Sequence, residues 1–234
     1  MATKALAWRS NNKNEESWLS ISDLMSGLMM LFLFVAVSYM TMVQKQMSQP
    51  VEAFLSLQEE LYSDLTREFQ DDLPKWNAEI DKKTLSVRFN EPDVLFGVGQ
   101  ATLKSDFRGI LHDFFPRYLN IIYSNKYRDN IEEIRIEGHT STEWDRLSGE
   151  DYAYFRNMNL SQARTRAVLE YCMSMIQNRD QRAWARNSLM AIGLSSSKPI
   201  LGTDGKEDEE RSRRVEFRTK ISAEKAINEI NERS

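Results

Sequence analysis

A long apolar segment near the N-terminus limits this chain to a membrane-anchored architecture. Residues 24–43 include no side chain that is charged at neutral pH. About 20 such residues, at roughly 1.5 Å of rise each, span a hydrocarbon core of about 30 Å. We therefore predict a transmembrane helix over residues 18–43. A cleaved signal peptide is the alternative, but the apolar run is too long for one and Asp23 would be out of place in it.

Basic residues on either side of this segment predict its orientation. Lys4, Arg9 and Lys13 precede the segment, and only Lys45 follows it closely. The positive-inside rule then places residues 1–17 in the cytoplasm and everything after residue 43 outside, which is the periplasm in a bacterium. The one cysteine, Cys172, cannot form an intrachain disulfide, so it does not indicate a redox compartment.

The rest of the sequence is polar and mildly acidic. The 234 residues carry a formal net charge of −4, which allows one or two domains and argues against a nucleic-acid partner. We predict a periplasmic linker over residues 44–82, a compact domain over residues 83–221 and a C-terminal tail over residues 222–234. The tail can form a short helix through Ile227 and Ile230.

The linker contains an amphipathic helix. After a polar exit at residues 44–49, Pro50 suits the first turn of a new helix, and the apolar pattern ends before Pro74. The apolar side chains of one face are Phe54, Leu57, Leu61, Leu65 and Phe69. This face could pack on the chain's own domain, or it could pair in parallel with a second copy. The heptad spacing is imperfect, and the sequence leaves both alternatives open.

Alternating strands and helices follow the linker. Strands are predicted over residues 84–89, 131–139, 188–194 and 213–219, and helices over residues 106–126 and 159–176. Ser105 is a candidate cap and Pro116 a candidate kink of the first helix. Residues 198–210 form a polar loop or a loop that opens into a short helix. The order βαβαββ predicts a compact α/β domain with a mixed sheet.

Asp23 stands at the head of the apolar segment, where a charge is costly. An ionised carboxylate at mid-membrane costs about 2.5–3.5 kcal/mol, and less near the helix ends, where it can reach water. The small residues around it allow another helix to approach closely: Ser20, Ser22, Ser26 and Gly27. A carboxylate in such a setting is by default a proton or ion site, and we favour that role over a solvated side chain.

Two parts of the sequence resemble known families. The sequence SISDLMSGLMMLFLF resembles the stator B-subunit motif of ion-driven rotary motors, the MotB family. The sequences IRIEGHTS, NLSQARTRAVLEY and RSRRVEFR resemble the OmpA/MotB peptidoglycan-binding domain. Within that class, the anchor from Trp18 onward is most similar to the ZorB subunits of Zorya anti-phage defence systems. The resemblance covers the anchor and almost all of the outer domain.

The resemblance implies a role for each matching residue. Asp23 takes the place of the ion-carrying aspartate. The residues implied in peptidoglycan binding are Thr140, Ser141, Asn157, Leu160, Arg164 and Arg214. Ser141 departs from the family, which usually has an aspartate there that binds the amine of the stem peptide. Glu143, Asp145 or a backbone carbonyl are the candidates to replace that aspartate. Arg156 and Ser212 also depart, standing where the family has a tyrosine and an asparagine.

The physical chemistry of the implied wall site centres on Arg164. In the predicted helix it lies in the first turn, where it can grip the carboxylate of the stem peptide's diamino acid with two hydrogen bonds. The N-terminal amides of that helix would favour the same anion. The structural alternative is that Arg164 pairs with Glu137 or Asp145.

The histidines and the aromatic cluster favour structural roles. His139 is expected to cap the end of its strand and not to bind a metal, and His112 has no second ligand at a useful spacing. Tyr152, Tyr154 and Phe155 are expected to form a loop over the core and not a stacking platform.

These features favour an ion-channelling stator subunit. The resemblance implies two copies inside a ring of an A-type (MotA- or ZorA-like) membrane subunit, with peptidoglycan as anchor and cytoplasmic effectors reached through that ring. No cofactor is expected beyond transported H⁺ or Na⁺. The alternatives are a flagellar MotB-type subunit, a passive OmpA-like tether and an envelope enzyme. The enzyme is disfavoured because the sequence offers no recognisable nucleophile–base pair or metal cluster.

Overall fold

The structure is a computed structural model that describes most of the chain. It describes the backbone of residues 2–90, 95–97, 99–143 and 149–222. Side chains are described for residues 18, 21–44 and 51–52, and for all residues from 54 onward that lie within the backbone ranges. The chain divides into two compact units, Met1–Val51 and Glu52–Ser234. The helices and strands are, in chain order, α1 (Ala2–Phe69), β1 (Ala78–Asp81), β2 (Ser86–Phe89), α2 (Ser105–Ile122), β3 (Ile131–His139), α3 (Glu150–Met175), α4 (Arg179–Ser188), β4 (Leu189–Gly193), α5 (Glu209–Ser212) and β5 (Arg214–Ile221).

The first unit consists of the part of helix α1 up to Val51, which contains the apolar segment. Residues Ile21–Gln44 have a mean hydropathy of 1.9, and none of this stretch is buried within the chain. An apolar surface exposed all round needs lipid or other helices to cover it. The predicted N-terminal membrane helix is therefore confirmed. The expected break after residue 43 is wrong, because the helix backbone continues through residue 50 to Phe69.

The second unit is built on a five-stranded mixed sheet in the order β1-β2-β5-β3-β4. Strand β5 pairs antiparallel with both β2 and β3, and β4 is parallel to β3. The predicted α/β class with a mixed sheet is confirmed. Strand β1 was not expected. Of the two alternatives for residues 198–210, the structure has the loop that opens into a short helix, α5.

Helices cover one face of the sheet, and aromatic side chains fill the space between. The ring of Phe114, on α2, lies 5.1 Å from the rings of Phe69, Phe89 and Phe217, which belong to α1, β2 and β5. These rings meet at tilted or edge-to-face angles, the arrangement that aromatic pairs prefer. The last turns of α1 are thus part of the same core as the sheet.

The apolar face of α1 packs on its own domain, which resolves the alternative that the sequence left open. Leu61, Leu65 and Phe69 are fully buried, and Phe54 and Leu57 pack against the same core. Ion pairs fix the polar side of this segment. Arg117 pairs with Glu68 at 2.7 Å and with Asp72 at 3.0 Å, and Lys126 pairs with Asp64 at 3.1 Å. The Tyr127 hydroxyl also donates a hydrogen bond to Asp64 at 2.6 Å. The compact unit consequently begins at Glu52, well before the expected domain boundary at residue 83.

Two helices differ from their predicted forms. Ser105 is the first helical residue of α2 and not its cap, since Lys104 occupies the cap position and no side chain caps the helix. Pro116 lies inside α2, which continues to Ile122. Helix α3 begins at Glu150, nine residues before the expected start at residue 159. The expected tail helix lies outside the described residues.

Candidate functional site

The membrane segment presents Asp23 two residues inside its polar end. Asp23 is the only charged side chain within Ile21–Gln44. Its neighbours Ser22 and Ser26 are joined, because the Ser26 hydroxyl donates to the Ser22 carbonyl at 2.8 Å. This bond satisfies the Ser26 hydroxyl within its own helix and keeps the surface beside Asp23 small, so that a partner helix can approach.

The second candidate site lies at the end of β3, where the chain turns at residues 140–143. The Thr140 amide donates to the Ser195 carbonyl at 2.9 Å, which ties the turn to the loop after β4. Thr140 and Ser141 are both buried. Asn157, buried on α3, donates to the Ser141 carbonyl at 3.2 Å and the Glu143 carbonyl at 3.5 Å. The structure thus brings Thr140, Ser141 and Asn157 together at this turn.

Two glycines allow α3 to lie directly against the strand ends. A Cβ on Gly193 would come within 2.4 Å of the Gln162 amide nitrogen, and one on Gly138 would lie 2.7 Å from the Thr165 side chain. The Gly138 position also lies 2.9 Å from the Ser161 carbonyl oxygen, and backbone atoms this close leave no room for a side chain at either glycine. Because residues near 161 lie level with the end of the sheet, the first two turns of α3 extend past it, over the turn. Leu160, half-buried, lies at the junction.

Arg164 lies further along α3 than the sequence predicted. Since α3 begins at Glu150, Arg164 is about four turns into the helix. The expectation that the N-terminal amides of this helix favour an anion at Arg164 is therefore wrong. Arg164 is buried beside the loop that precedes α2. Its guanidinium donates to the carbonyls of Gln100 at 2.9 Å and Gly97 at 3.3 Å and lies 4.9 Å from the centre of the Phe96 ring.

Arg214 lies on the other face of the sheet. Gly138 faces α3, so its neighbour His139 and the register partner Arg214 face away, because side chains alternate along a strand. The Arg214 guanidinium donates to Glu216 at 2.6 Å and to the Ser212 carbonyl at 3.0 Å. The structure therefore does not bring Arg214 together with Arg164.

A buried charged cluster surrounds His139 on that face. His139 lies 3.7 Å from Glu137 and 3.9 Å from Glu216, and among the described residues neither of its ring nitrogens has a hydrogen-bond partner. Burial lowers the pKa of His139. Burial opposes ionisation of Glu216, but the hydrogen bond from Arg214 and the charge of Arg88 outweigh it and lower the pKa of Glu216 to about 2. His139 is neutral beside an ionised Glu216. The expected cap of the strand end is wrong, because neither ring nitrogen bonds to a backbone group among the described residues.

Spacing along the chain gave no sign of this cluster. The ligand atoms of Glu137, His139 and Glu216 lie within 4.8 Å of one another, which is a grouping that a metal can use. However, Arg88 and Arg214 already bond to Glu216, at 2.9 Å and 2.6 Å. The positive charges of the two guanidiniums already balance the carboxylate that a metal cation would need as a ligand, so the cluster favours structural ion pairing.

Acidic side chains border the turn beside Ser141. The backbone amide of Thr142 lies 3.2 Å from both carboxylate oxygens of Glu207, and its hydroxyl donates to the same carboxylate. A hydrogen bond with Glu143 raises the pKa of Glu209. Glu143, an expected substitute for the missing aspartate, is therefore at the turn. Glu207 was not anticipated, although it lies in the acidic run GKEDEE, and Asp145 lies outside the described residues.

The aromatic residues before Asn157 are not a loop over the core. Tyr152, Tyr154 and Phe155 lie in the first turns of α3, and their exposed fractions are 56%, 36% and 63%. The rings of Tyr154 and Phe155 meet edge to face with centres 5.7 Å apart. The sequence prediction of a covered loop is wrong because this part of α3 extends past the sheet, where there is no core for these rings to enter.

Comparison with known proteins finds relatives that match nearly the full length of the chain. The Zorya protein ZorB of Escherichia coli (strain Crooks) is 47% identical over 222 residues, which cover 94% of each chain. The chain belongs to the ZorB family. A second Zorya protein ZorB, from another Escherichia coli strain, is 26% identical over 90% of this chain and 82% of its own length. The predicted resemblance to ZorB subunits is thereby confirmed.

A solved structure has a fold similar to that of this ZorB-family chain. A MotB-like protein from Desulfovibrio vulgaris aligns with a TM-score of 0.50 and 20% identity, covering 71% of this chain and 96% of that one. At this identity the likeness concerns the fold alone, and it supports the predicted MotB/OmpA-like domain. No family model matches the chain.

Proposed function

We propose that this ZorB-family chain is the wall-anchored B-subunit of an ion-driven rotary motor in the bacterial inner membrane, serving Zorya anti-phage defence. The observation that carries the proposal is a single carboxylate, Asp23, at the head of an otherwise uncharged membrane segment. A passive tether has no use for that carboxylate, which costs free energy in lipid and could be replaced by any apolar residue. The 47% identity to ZorB over nearly the whole chain favours the Zorya motor over a flagellar one.

Asp23 would act by changing charge. Binding H⁺ or Na⁺ neutralises the carboxylate and lets it face an apolar wall, and releasing the ion restores the charge. One helix encloses no path for an ion, so a ring of an A-type membrane subunit must supply the walls. Two copies of this chain inside the ring would let one Asp23 engage while the other waits. Cytoplasmic defence effectors would be reached through the A-type subunit.

The orientation follows from charge. Three basic residues, Lys4, Arg9 and Lys13, precede the membrane segment, and this bias supports a cytoplasmic N-terminus. The α/β unit would then lie in the periplasm, where it can meet the cell wall.

The wall site would lie between the turn at 140–143 and α3. Asn157 holds the turn by its carbonyls, Leu160 supports the same junction, and Thr140 and Ser141 line it. Arg164, held by the loop carbonyls of Gly97 and Gln100, would receive the carboxylate of the stem peptide's diamino acid. Arg214 would act at a distance, by fixing the strand end that carries the turn.

The acidic side chains that border the turn would supply the carboxylate that Ser141 lacks. Glu143 and Glu207 lie at the turn, and the raised pKa of Glu209 reflects crowding of carboxylates there. An ammonium group brought among these side chains would relieve their mutual repulsion. We assign the amine contact to this border.

Ion flux tests the proposal directly. The chain would be reconstituted with its A-type subunit in liposomes, and proton or sodium uptake followed under an imposed membrane potential. Asp23→Asn should abolish uptake, because asparagine keeps the size and loses the titratable charge, whereas Asp23→Glu should retain part of it. Uptake by Asp23→Asn at the wild-type rate would favour the passive tether.

A further inference from the structure

Ser195, in the loop after β4, has a backbone conformation that serine rarely adopts. Its φ is 51°, in the left-handed region that favours glycine, and the residue is fully buried. A residue other than glycine costs free energy in this conformation, and such residues persist where the surrounding contacts fix them, often at functional sites. Glycine would adopt the same φ without strain. What serine adds here, relative to glycine, is a hydroxyl group.

The hydrogen bonds of Ser195 all lead to the elements that form the candidate wall site. The Ser195 hydroxyl donates to the Tyr154 carbonyl at 2.7 Å, and the Ser195 amide donates to the Ser161 hydroxyl at 3.1 Å; both partners lie on α3. The Ser195 carbonyl accepts the Thr140 amide at 2.9 Å, at the turn. The amide and carbonyl bonds belong to the backbone, and glycine could make them as well. Only the bond to Tyr154 requires the serine side chain.

This hydroxyl bond reaches a part of α3 that has few other contacts. Tyr154 lies seven residues before Ser161, which is about 10 Å along the helix and past the end of the sheet. In the first two turns of α3 only Ala153 and Asn157 are buried. A segment with so little burial opens locally at a lower free energy than the core does. Asn157 belongs to this segment, and it holds the turn at 140–143 through two backbone carbonyls.

We propose that Ser195 is a positioning residue of the wall site. Its hydroxyl ties the start of α3 to the loop after β4, so that Asn157 keeps the turn at 140–143 in the shape that receives the stem peptide. The proposal rests on the proposed wall binding and adds a buried residue that sets the geometry of the site without touching the ligand. Without this tether, the start of α3 would leave the loop part of the time. Only the tethered fraction would bind, and the apparent affinity would fall in proportion.

Ser195→Gly tests the tether because it keeps the backbone conformation and removes the hydroxyl. The full chain in detergent micelles would be titrated calorimetrically with a free stem tripeptide, which ends in the diamino acid. Ser195→Gly should bind the tripeptide about tenfold more weakly than wild type, which corresponds to a tethered fraction of about one tenth. Binding is measured at a temperature where circular dichroism shows every variant to be folded, so a loss of affinity cannot come from global unfolding.

Amide hydrogen exchange provides a readout that a general loss of stability would not reproduce. Exchange at residues 154–158 should become faster in Ser195→Gly, while the amides of β3 and β5 keep their wild-type rates. Asn77→Gly is the control for the backbone, since Asn77 has a φ of 47° and lies beside β1, at the other edge of the sheet from β4. Ser197→Ala is the control for the hydroxyl, because Ser197 lies in the same loop and donates to the Leu194 carbonyl at 2.7 Å. Both controls should keep the wild-type affinity and exchange.

The outcomes separate this proposal from the proposed function. Wild-type affinity in Ser195→Gly would overturn the positioning role while wall binding stands, and so would a weaker affinity with unchanged exchange at residues 154–158. Faster exchange in β3 and β5 as well would make Ser195 a general structural residue and overturn the proposal. An equal loss of affinity in Ser197→Ala would do the same, because the effect would then belong to the loop. Wild type that does not bind the tripeptide would contradict wall binding itself.

Discussion

Arg164 and Arg214 are both buried arginines, but their partners suit them to different tasks. Arg214 is neutralised by Glu216 at 2.6 Å, deep in a network of fixed charges. The Arg164 guanidinium donates to two backbone carbonyls of a loop, those of Gln100 and Gly97, which fix its orientation. An oriented guanidinium is suited to bind a carboxylate with two hydrogen bonds.

Truncating Arg164 should weaken wall binding. Arg164→Ala should cost about 1.5–3 kcal/mol of binding to purified peptidoglycan, the range for a hydrogen bond to a charged group. The measurement is retention in a sedimentation assay with isolated cell walls. Arg166→Ala is the control: Arg166 lies on the same helix but is exposed and pairs with Glu170. Equal retention of wild type and Arg164→Ala would contradict the assignment, provided that both melt at similar temperatures.

His139 should make the stability of the domain depend on pH. The unfolded chain binds a proton at His139 near pH 6.5, whereas burial keeps the folded side chain neutral to lower pH. The free energy of unfolding should therefore fall as pH drops below 6.5. Glu216 adds a second loss, from pH 4.5 down to about 2, as its folded carboxylate becomes protonated.

A histidine substitution isolates the first of these losses. In His139→Gln, the decrease in melting temperature between about pH 7.5 and 5.5 should be smaller than in wild type, because the proton uptake on unfolding is gone. His112→Gln, at an exposed position, is the control. The same decrease in His139→Gln as in wild type would show that His139 does not carry the effect.

At the level of helices and strands, the sequence predicted elements where burial imposes a pattern. Strands β2, β3, β4 and β5 were anticipated, β2 because its apolar residues alternate and β3 because Ile131, Ile134 and Ile136 are apolar. Strand β1 was missed because all four of its residues are only half-buried, and it is held mainly by pairing with β2. The start of α3 was missed for a related reason. In its first two turns only Ala153 and Asn157 are buried, which is too few to produce a helical period.

The candidate site was predictable in part. Thr140, Ser141 and Asn157 belong to the motifs on which the resemblance rests, and the structure joins them at the turn. The environment of Arg164 was not predictable, because it bonds to backbone carbonyls of a loop more than sixty residues away, and the sequence of side chains does not reveal a contact of that kind. The same holds for the cluster at His139, which arises from strand register.

The end of α1 is an integral part of the domain core, and a truncation should reveal this. Removing Leu61, Leu65 and Phe69 would forgo about 1.5–3 kcal/mol each, a large share of the 5–15 kcal/mol typical of a domain. A fragment that begins at Lys83 should therefore lack a cooperative melting transition, whereas one that begins at Glu52 should have one. Circular dichroism against temperature is the measurement. Cooperative melting of the Lys83 fragment at the temperature of the longer one would contradict the shared core.

On the scale of the whole molecule, one chain combines two surfaces of different chemistry. The membrane segment is apolar all round except at Asp23, and the unit from Glu52 onward is a polar-surfaced α/β domain with a site at one end of its sheet. A motor stator needs both a group that exchanges an ion and a fixed attachment against which force can act. Under the proposed function, the membrane segment would meet the first need and the domain the second, so we expect that each can be disabled without the other.

Phage challenge of cells that carry Asp23→Asn tests the central claim most directly. The variant would be expressed with the rest of its system, and its level and membrane location checked by immunoblot. We expect normal protein levels and wall attachment, with protection lost to the level of cells that lack the system. Asp23→Glu should retain part of the protection because it keeps a titratable carboxyl group. Protection by Asp23→Asn equal to that of wild type would contradict the role of Asp23 as the ion carrier.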